Sequence, residues 1–307
     1  VTLPRLGITT TFVDAHDPKA FEAAIQPTTK LVYTETLGNP KLDFVDIAAV
    51  ADVAHAHGLP LVVDNTLTPI LCRPIDHGAD IVIYSLTKYF SGNGTAMGGA
   101  VVDSGKFDWT NGKFPDFTEP SPGYHGLRYS ETFGPAAFIV RARVEGLRDI
   151  GACLSPTNSF LIIQGLETLS LRIKQSSQSA LEIARWLQQH PAVEWVHYPG
   201  LEQDEHHKIC KRYLDGGFGC IITFGLKGGY EAAKSFADHT KLFRIVANLG
   251  DTKSLVIHPS STTHRQLSPE QQVSAGVTPD LVRLSIGLED IEDLKADIEQ
   301  AILEATR

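Results

Sequence analysis

From residue 7 to about residue 105 the apolar positions switch repeatedly between a period of two and a period near 3.6. Gly7-Ile8-Thr9-Thr10-Thr11-Phe12-Val13-Asp14 reads as a strand, and a helix follows over Asp17 to Ile25, with Asp17 as N-cap and Pro18 at its first position. Lys30 to Glu35 reads as the next strand, closed by the turn Gly38-Asn39-Pro40. A helix over about 46–57 places Ile47, Val50, Ala51, Val53 and Ala54 on one side and stops at Gly58. Leu59 to Thr66 and Ala79 to Tyr84 are denser apolar runs, the pattern of strands buried on both faces. Between them the helical pattern fades, around Arg73 to Gly78. This βαβ rhythm predicts a mostly parallel sheet with helices on both faces.

The pattern then changes. Residues 106–135 are aromatic, Pro- and Gly-rich and aperiodic, which points to a functional loop or subunit contact rather than a linker. Helical patterns fill 136–190, the longest expected from Gln164 to Gln189. After Pro191 a second α/β unit begins, with strands near Trp195 to Tyr198, Cys220 to Gly225, Ser254 to Ile257 and Leu281 to Ile286, and a closing helix over about 290–304. The expected organisation is an α/β chain with a large domain over 1–150, connecting helices over 151–190 and a smaller C-terminal α/β domain over 191–307.

Composition narrows the classes. With 307 residues, 42% of them hydrophobic, the chain can bury a sizeable core, and a formal charge of −9 offers no basic surface for nucleic acid or anionic lipid. Cys72, Cys153, Cys210 and Cys220 are widely spaced and form no C-x-x-C pair, as expected of reduced thiols in a cytoplasmic protein without a structural zinc. No run is long and apolar enough for a membrane span, and no signal peptide is recognisable. The opening Val1-Thr2-Leu3-Pro4-Arg5 lacks an initiator Met and a polar lead-in, and reads as the middle of a fold.

One strand end concentrates the chemistry. Ser85, Thr87 and Lys88 follow the run Ala79 to Tyr84, so they sit at the carboxyl end of a strand, the edge of an open α/β sheet where ligands bind. Hydroxyls able to hold a phosphate beside an amine nucleophile suggest pyridoxal phosphate; the competing reading is a surface lysine. Asp64 lies 24 residues earlier at the end of a neighbouring strand, either as the acid that keeps a pyridine nitrogen protonated or as a turn cap. Asn39 is either a donor to a phenolic oxygen or ordinary turn chemistry. Arg283 interrupts an apolar strand of the second domain, which calls for an anion: a substrate carboxylate or a buried salt bridge. The glycines Gly92, Gly94 and Gly98 fail the dinucleotide spacing and lead into a strand-like segment, Gly99 to Asp103, rather than a helix. His206-His207 reads as solvated, whereas His258 and His264 flank Ser260-Ser261-Thr262-Thr263, a candidate rim for the substrate mouth.

These residues, with Glu35-Thr36-Leu37-Gly38-Asn39-Pro40, Tyr124-His125-Gly126, Gly250 to Val256, His258-Pro259, Ser261 to His264 and Val282 to Gly287, resemble the Cys/Met-metabolism group of pyridoxal-phosphate enzymes of fold type I. Within that group, Phe107-Asp108-Trp109 and Tyr124-His125-Gly126 resemble the branch acting on O-acetylhomoserine more than the lyases. The resemblance implies a transferase fold with Lys88 as Schiff-base lysine, Asp64 as pyridinium partner, Ser85 and Thr87 as phosphate ligands, Asn39 at the phenolic oxygen, and Arg283, helped by Ser254, on the substrate carboxylate. The implied reaction converts O-acetyl-L-homoserine and a sulfur nucleophile to homocysteine, in methionine and cysteine biosynthesis. Sulfide, or another donor such as a sulfur-carrier protein, supplies the sulfur. The implied assembly is a homotetramer with active sites at dimer interfaces. Methionine γ-lyase or cystathionine γ-synthase chemistry on the same scaffold is the nearest rival. Two departures stand out: Gly92-Asn93-Gly94 where the family often has Gly-His-Gly, and no counterpart to the family's N-terminal phosphate loop and ring-stacking tyrosine. That second departure admits a rival of another class, a non-catalytic piece, and leads to the expectation that these residues alone bind cofactor poorly and do not turn over.

Overall fold

A computed structural model describes residues 2–307; Val1, the first residue of the opening segment Val1 to Arg5, lies outside the described residues. The first sheet has four strands in the order β1 (Val32–Glu35), β2 (Leu61–Asp64), β3 (Ile81–Ser85) and β4 (Gly99–Asp103). β1, β2 and β3 run parallel, and β4 is antiparallel to β3. Leu61, Val62 and Val63 are all buried, as a central parallel strand requires, while β1 alternates buried Val32 and Thr34 with exposed Tyr33 and Glu35. The registers Glu35 to Asp64 and Asp64 to Ile83 bring the carboxyl ends of β1, β2 and β3 level, so whatever follows them shares one edge.

The flanking helices form where expected. Asp17 caps Pro18–Ala24 by accepting from the Lys19 amide at 3.0 Å, and Asp46 caps Ile47–Ala56 by accepting from Ala49 at 3.2 Å. Ile47, Val50, Ala51 and Ala54 form the buried stripe of the second helix. Gly58, at φ +62°, turns the chain out of it.

Three expectations are corrected. Residues 7–14 form no strand: Phe12 is 92% exposed, and with no neighbouring strand among the described residues their alternation has nothing to pair with. The helix expected from Gln164 to Gln189 is two helices, Pro156–Leu166 and Leu169–Gln188. The Gly165 carbonyl takes the Thr168 amide at 3.3 Å and Arg172 Nη2 at 2.8 Å instead of continuing the ladder. Residues 106–135 are more than a loop. Trp109 stacks on Phe117 at 4.4 Å and on Phe138 at 5.3 Å, and this cluster packs on Val62 and Ile81, so it covers one face of the sheet.

The second sheet has the order β5-β6-β9-β8-β7, with β5 Val193–His197, β6 Ile221–Leu226, β7 Arg244–Ile245, β8 Leu255–Ile257 and β9 Leu281–Ser285. Its pairings are antiparallel except β7 with β8. The helices Gly229–His239 and Ile291–Ala305 cover it, with Phe236 edge-on to Phe224 at 5.5 Å. The buried stripe of Leu169–Gln188, including Ile173, Ile183 and Leu187, belongs to one apolar cluster that runs from the first sheet into the second. That shared core sets the loops of the second sheet against the carboxyl edge of the first.

Candidate active site

At that edge lies a cavity of about 320 Å³, lined by Glu35, Asn39, Asp64, Thr66, Ser85 and Lys88 from the first unit and by Asn248, Thr263, His264 and Arg283 from the second. The volume suits a small cofactor with a small substrate. Lys88 follows β3 in a tight turn whose amide donates to the Ser85 carbonyl at 3.2 Å, and its half-buried amine donates to Asn248 Oδ1 at 2.6 Å. Burial, and then the charge of Arg283, hold that amine below the ordinary lysine value.

Asp64 is fixed from below. Its carbonyl accepts from the Thr36 amide at 3.0 Å and from Thr36 Oγ1 at 3.4 Å, and its Oδ1 accepts from the Thr66 amide at 2.8 Å. The Thr36 hydroxyl lies 2.8 Å from that of Thr68, which donates to Asn65 Oδ1 at 2.6 Å, and Asn65 Nδ2 reaches the Cys72 carbonyl at 3.0 Å. This buried network holds the backbone of Asp64 while its carboxylate faces the cavity, 3.4 Å from the Tyr33 hydroxyl. Beside it, Glu35 keeps part of its surface open to solvent, but its carboxyl lies against the cavity wall, and this desolvation, followed by the charges of Asp64 and Asp43, pushes it up to about 7.

Ser85 donates its amide to Thr66 Oγ1 at 2.8 Å, and its hydroxyl has no protein partner among the described residues. Thr87 is turned away: its hydroxyl accepts from the Gly98 amide at 3.1 Å and donates to the Gly98 carbonyl at 3.3 Å. Arg283 is 7% exposed in β9, and its partners are neutral oxygens: Asn39 Oδ1 at 3.0 Å and the Asn248 carbonyl at 2.9 Å, with Nε left without any. No carboxylate pairs with it among the described residues, so the salt-bridge reading fails and a buried cation remains that lacks an anion. Burial pushes it down to about 10. Asn39 thus gives its oxygen to Arg283 and keeps its Nδ2 as a donor.

One assignment needs correction. Ser254 is fully buried and does not line the cavity, because its hydroxyl donates to Glu289 Oε2 at 2.8 Å and accepts from the Gly287 amide at 2.8 Å. Asn248, a residue that no spacing or motif singled out, does line the cavity and accepts from both Lys88 and Arg283. His258 is likewise tied away from the cavity, to the Pro279 carbonyl at 2.8 Å and Ser261 Oγ at 2.9 Å, whereas Thr263 and His264 do line it. Asn93 lies outside: its Nδ2 donates to the Ser91 carbonyl at 3.2 Å and its Oδ1 accepts from the Thr252 hydroxyl at 3.4 Å.

The sequence matches the family model described as Cys/Met metabolism PLP-dependent enzyme over residues 1–303. The chain belongs to that family. Among its relatives, an O-acetyl-L-homoserine sulfhydrylase of Leptospira meyeri is 53% identical over 98% of this chain and 70% of its own length. A homocysteine synthase of Schizosaccharomyces pombe is 51% identical over 98% of this chain and 71% of its own length. The fold superposes with TM-score 0.94 on a structure described as an O-acetylhomoserine (thiol)-lyase from Campylobacter jejuni, 42% identical over 98% of this chain and 72% of that one, which carries N'-pyridoxyl-lysine-5'-monophosphate. A cystathionine γ-lyase from Lactobacillus plantarum follows at TM-score 0.82 and 33% identity, over 99% and 72%. Membership in a PLP-dependent family accounts for what the geometry shows: one amine, two carboxyl groups and one guanidinium without an anion converging on a cavity of small-molecule size.

Proposed function

We propose that this site serves a γ-replacement in which O-acetyl-L-homoserine and a sulfur nucleophile, sulfide in the simplest case, give L-homocysteine and acetate. The single observation that carries this reading is the convergence of the Lys88 amine, the Asp64 carboxylate and the anion-seeking Arg283 on one cavity. The residues fit the cofactor. Lys88 offers the amine for its aldehyde, Asp64 the carboxylate for its ring nitrogen, and Asn39 Nδ2 a donor for its phenolic oxygen. Ser85, whose hydroxyl has no protein partner among the described residues, offers a hydrogen bond to its phosphate, while Thr87 keeps its hydroxyl on Gly98 and braces the turn beneath. Pyridoxal phosphate, when bound, supplies an electron sink for the carbanion formed at the substrate α-carbon.

The chain's own residues do the rest. Arg283 takes the α-carboxylate in a charge-assisted pair and so fixes which end of the substrate points at Lys88. The Lys88 amine, already held below its ordinary value, removes the α-proton and carries it on Nζ. Over the whole reaction the Cγ–O bond breaks with its electron pair leaving on acetate, and a C–S bond forms at the same carbon. The shell of Thr36, Thr68 and Asn65 keeps Asp64 from relaxing away from the ring.

We also read residues 1–150 as the cofactor-binding unit, 151–190 as connecting helices and 191–307 as the smaller unit, and infer a homotetramer acting in the cytoplasm, with a sulfur-carrier protein as one candidate donor. Exposed Phe160 and Ile163 on one helix support self-association, and among the described residues no helix is long and apolar enough to cross a membrane. The deciding assay offers the purified protein O-acetylhomoserine with sulfide and measures homocysteine against 2-oxobutyrate. Homocysteine as the main product supports γ-replacement; 2-oxobutyrate alone assigns the site to elimination.

A further inference from the structure

Lys88 and Arg283 approach the cavity from different units and would repel each other if left free, yet one residue is hydrogen-bonded to both. Asn248 accepts from Lys88 Nζ at 2.6 Å through its side chain and from Arg283 Nη2 at 2.9 Å through its main chain. The turn that carries it is anchored independently of either cation. The Asn248 amide donates to the Val246 carbonyl at 2.7 Å, the Gly250 amide to Ser285 Oγ at 3.1 Å, and the Thr252 amide to the Gly92 carbonyl at 2.7 Å. Gly250, at φ +71°, lies directly on the Tyr89 ring, where an added Cβ would come within 2.8 Å of the ring carbons. The turn is therefore seated on the Lys88–Gly94 segment before Asn248 meets the amine.

From this geometry we infer that Asn248 is a positioning residue. It is the resting place of the uncombined Lys88 amine, and its carbonyl sets the orientation of Arg283, so that one turn of the second unit registers the proton-carrying group against the carboxylate site. The inference rests on the proposed roles of Lys88 and Arg283 and adds the residue that keeps the two in register. The side-chain amide oxygen is the right chemistry for the task. It accepts from the amine in either protonation state without adding a charge, and a carboxylate at the same place would hold the proton on Nζ and spoil a base. The other titratable or charged groups at the cavity are Glu35, Asp64, His264 and Arg283, and none of them is hydrogen-bonded to Nζ. The two contacts of Asn248 are also separable: a side-chain variant removes the hold on Lys88 and leaves the carbonyl that faces Arg283.

The test is competitive acetylation of Lys88 with trace acetic anhydride in the cofactor-free chain over a range of pH, read by mass spectrometry, for the wild type, Asn248→Asp and Asn248→Ala. The near-isosteric Asp variant keeps the shape and holds the proton, and its Lys88 is expected to label about tenfold more slowly near pH 8, the fold-change of one pH unit. The Ala variant loses the acceptor, so its amine is freed at lower pH and labels faster. Superimposable Lys88 profiles in the two folded variants and the wild type would overturn the inference. If Ala fails to fold, the Asp profile decides alone. A separate arm treats the wild type with pyridoxal phosphate and borohydride: no adduct on Lys88 removes the proposed role of that lysine, while the labelling profiles still decide whether Asn248 holds its amine.

Discussion

Arg283 Nη1 donates to Asn39 Oδ1 at 3.0 Å, joining two positions 244 residues apart in the chain and the two sheets of the fold. The contact is between a full charge and a neutral amide, and the buried Nε has no partner at all. A cation kept in this state costs stability, so its presence is explained by what it binds rather than by what it holds together.

Replacing it separates the two effects. Arg283→Met is expected to leave the melting temperature unchanged or raise it, because an apolar chain of similar length relieves the burial of an uncompensated charge. The same variant loses the carboxylate pair, about 2–5 kcal/mol, which is a fall in kcat/KM of roughly thirtyfold or more. A destabilised variant with unchanged kcat/KM would show that Arg283 is structural.

Lys88→Ala is expected to abolish both the absorbance band of the lysine–cofactor adduct and the borohydride-stable mass increase. In the wild type, the pH at which trapping reaches half its maximal rate is expected below the ordinary lysine value of 10.5, since burial and Arg283 both favour the neutral amine. Arg283→Met removes one of those causes and is expected to move the midpoint upward. An unmoved midpoint would show that the two groups are not coupled.

Glu35 offers a pH dependence of stability. Its folded value of about 7 stands above the ordinary 4.5, so between those values the folded chain binds more protons than the unfolded one. Its contribution is fully present below about 4.5 and is lost as pH rises through 7. Thermal melts of the cofactor-free protein at pH 5 and pH 8 are expected to differ less in Glu35→Gln than in the wild type, and equal differences would count against this assignment.

The network under Asp64 is testable through Thr68. Thr68→Val keeps the shape but leaves Asn65 Oδ1 without its 2.6 Å donor, a loss of about 1–3 kcal/mol in unfolding free energy. Thr68→Ser keeps the hydroxyl and is expected to retain most of that stability. If the two variants melt together, the network is not what holds β2 in place.

Much of this was legible in the chain itself. The alternation of periods located β1, β2 and β3, and because parallel strands joined by helices end on one edge, Asp64 and Lys88 were already expected at a common crevice. Arg283 announced itself by its cost, a charge inside an apolar strand. What failed was whatever depended on a particular hydrogen-bond partner rather than on a period. The alternation at residues 7–14 formed no strand because no strand lies beside it among the described residues, and the helix expected to run unbroken from Gln164 breaks because Arg172 and Thr168 claim the Gly165 carbonyl.

Residue types and their spacing determined the chemistry on offer: an amine, an acid, a hydroxyl and a cation at strand ends. Only the tertiary structure decided which polar groups face the cavity and which are spent inside the protein. Ser254 and Thr87 carry hydroxyls of the right kind, but neighbours at Glu289, Gly287 and Gly98 already use them, while Asn248, unremarkable in the sequence, stands 2.6 Å from the Lys88 amine. The reason is physical: a strand's period fixes the face on which a side chain emerges, but a hydrogen bond is satisfied by whichever partner the packing of two units brings within reach.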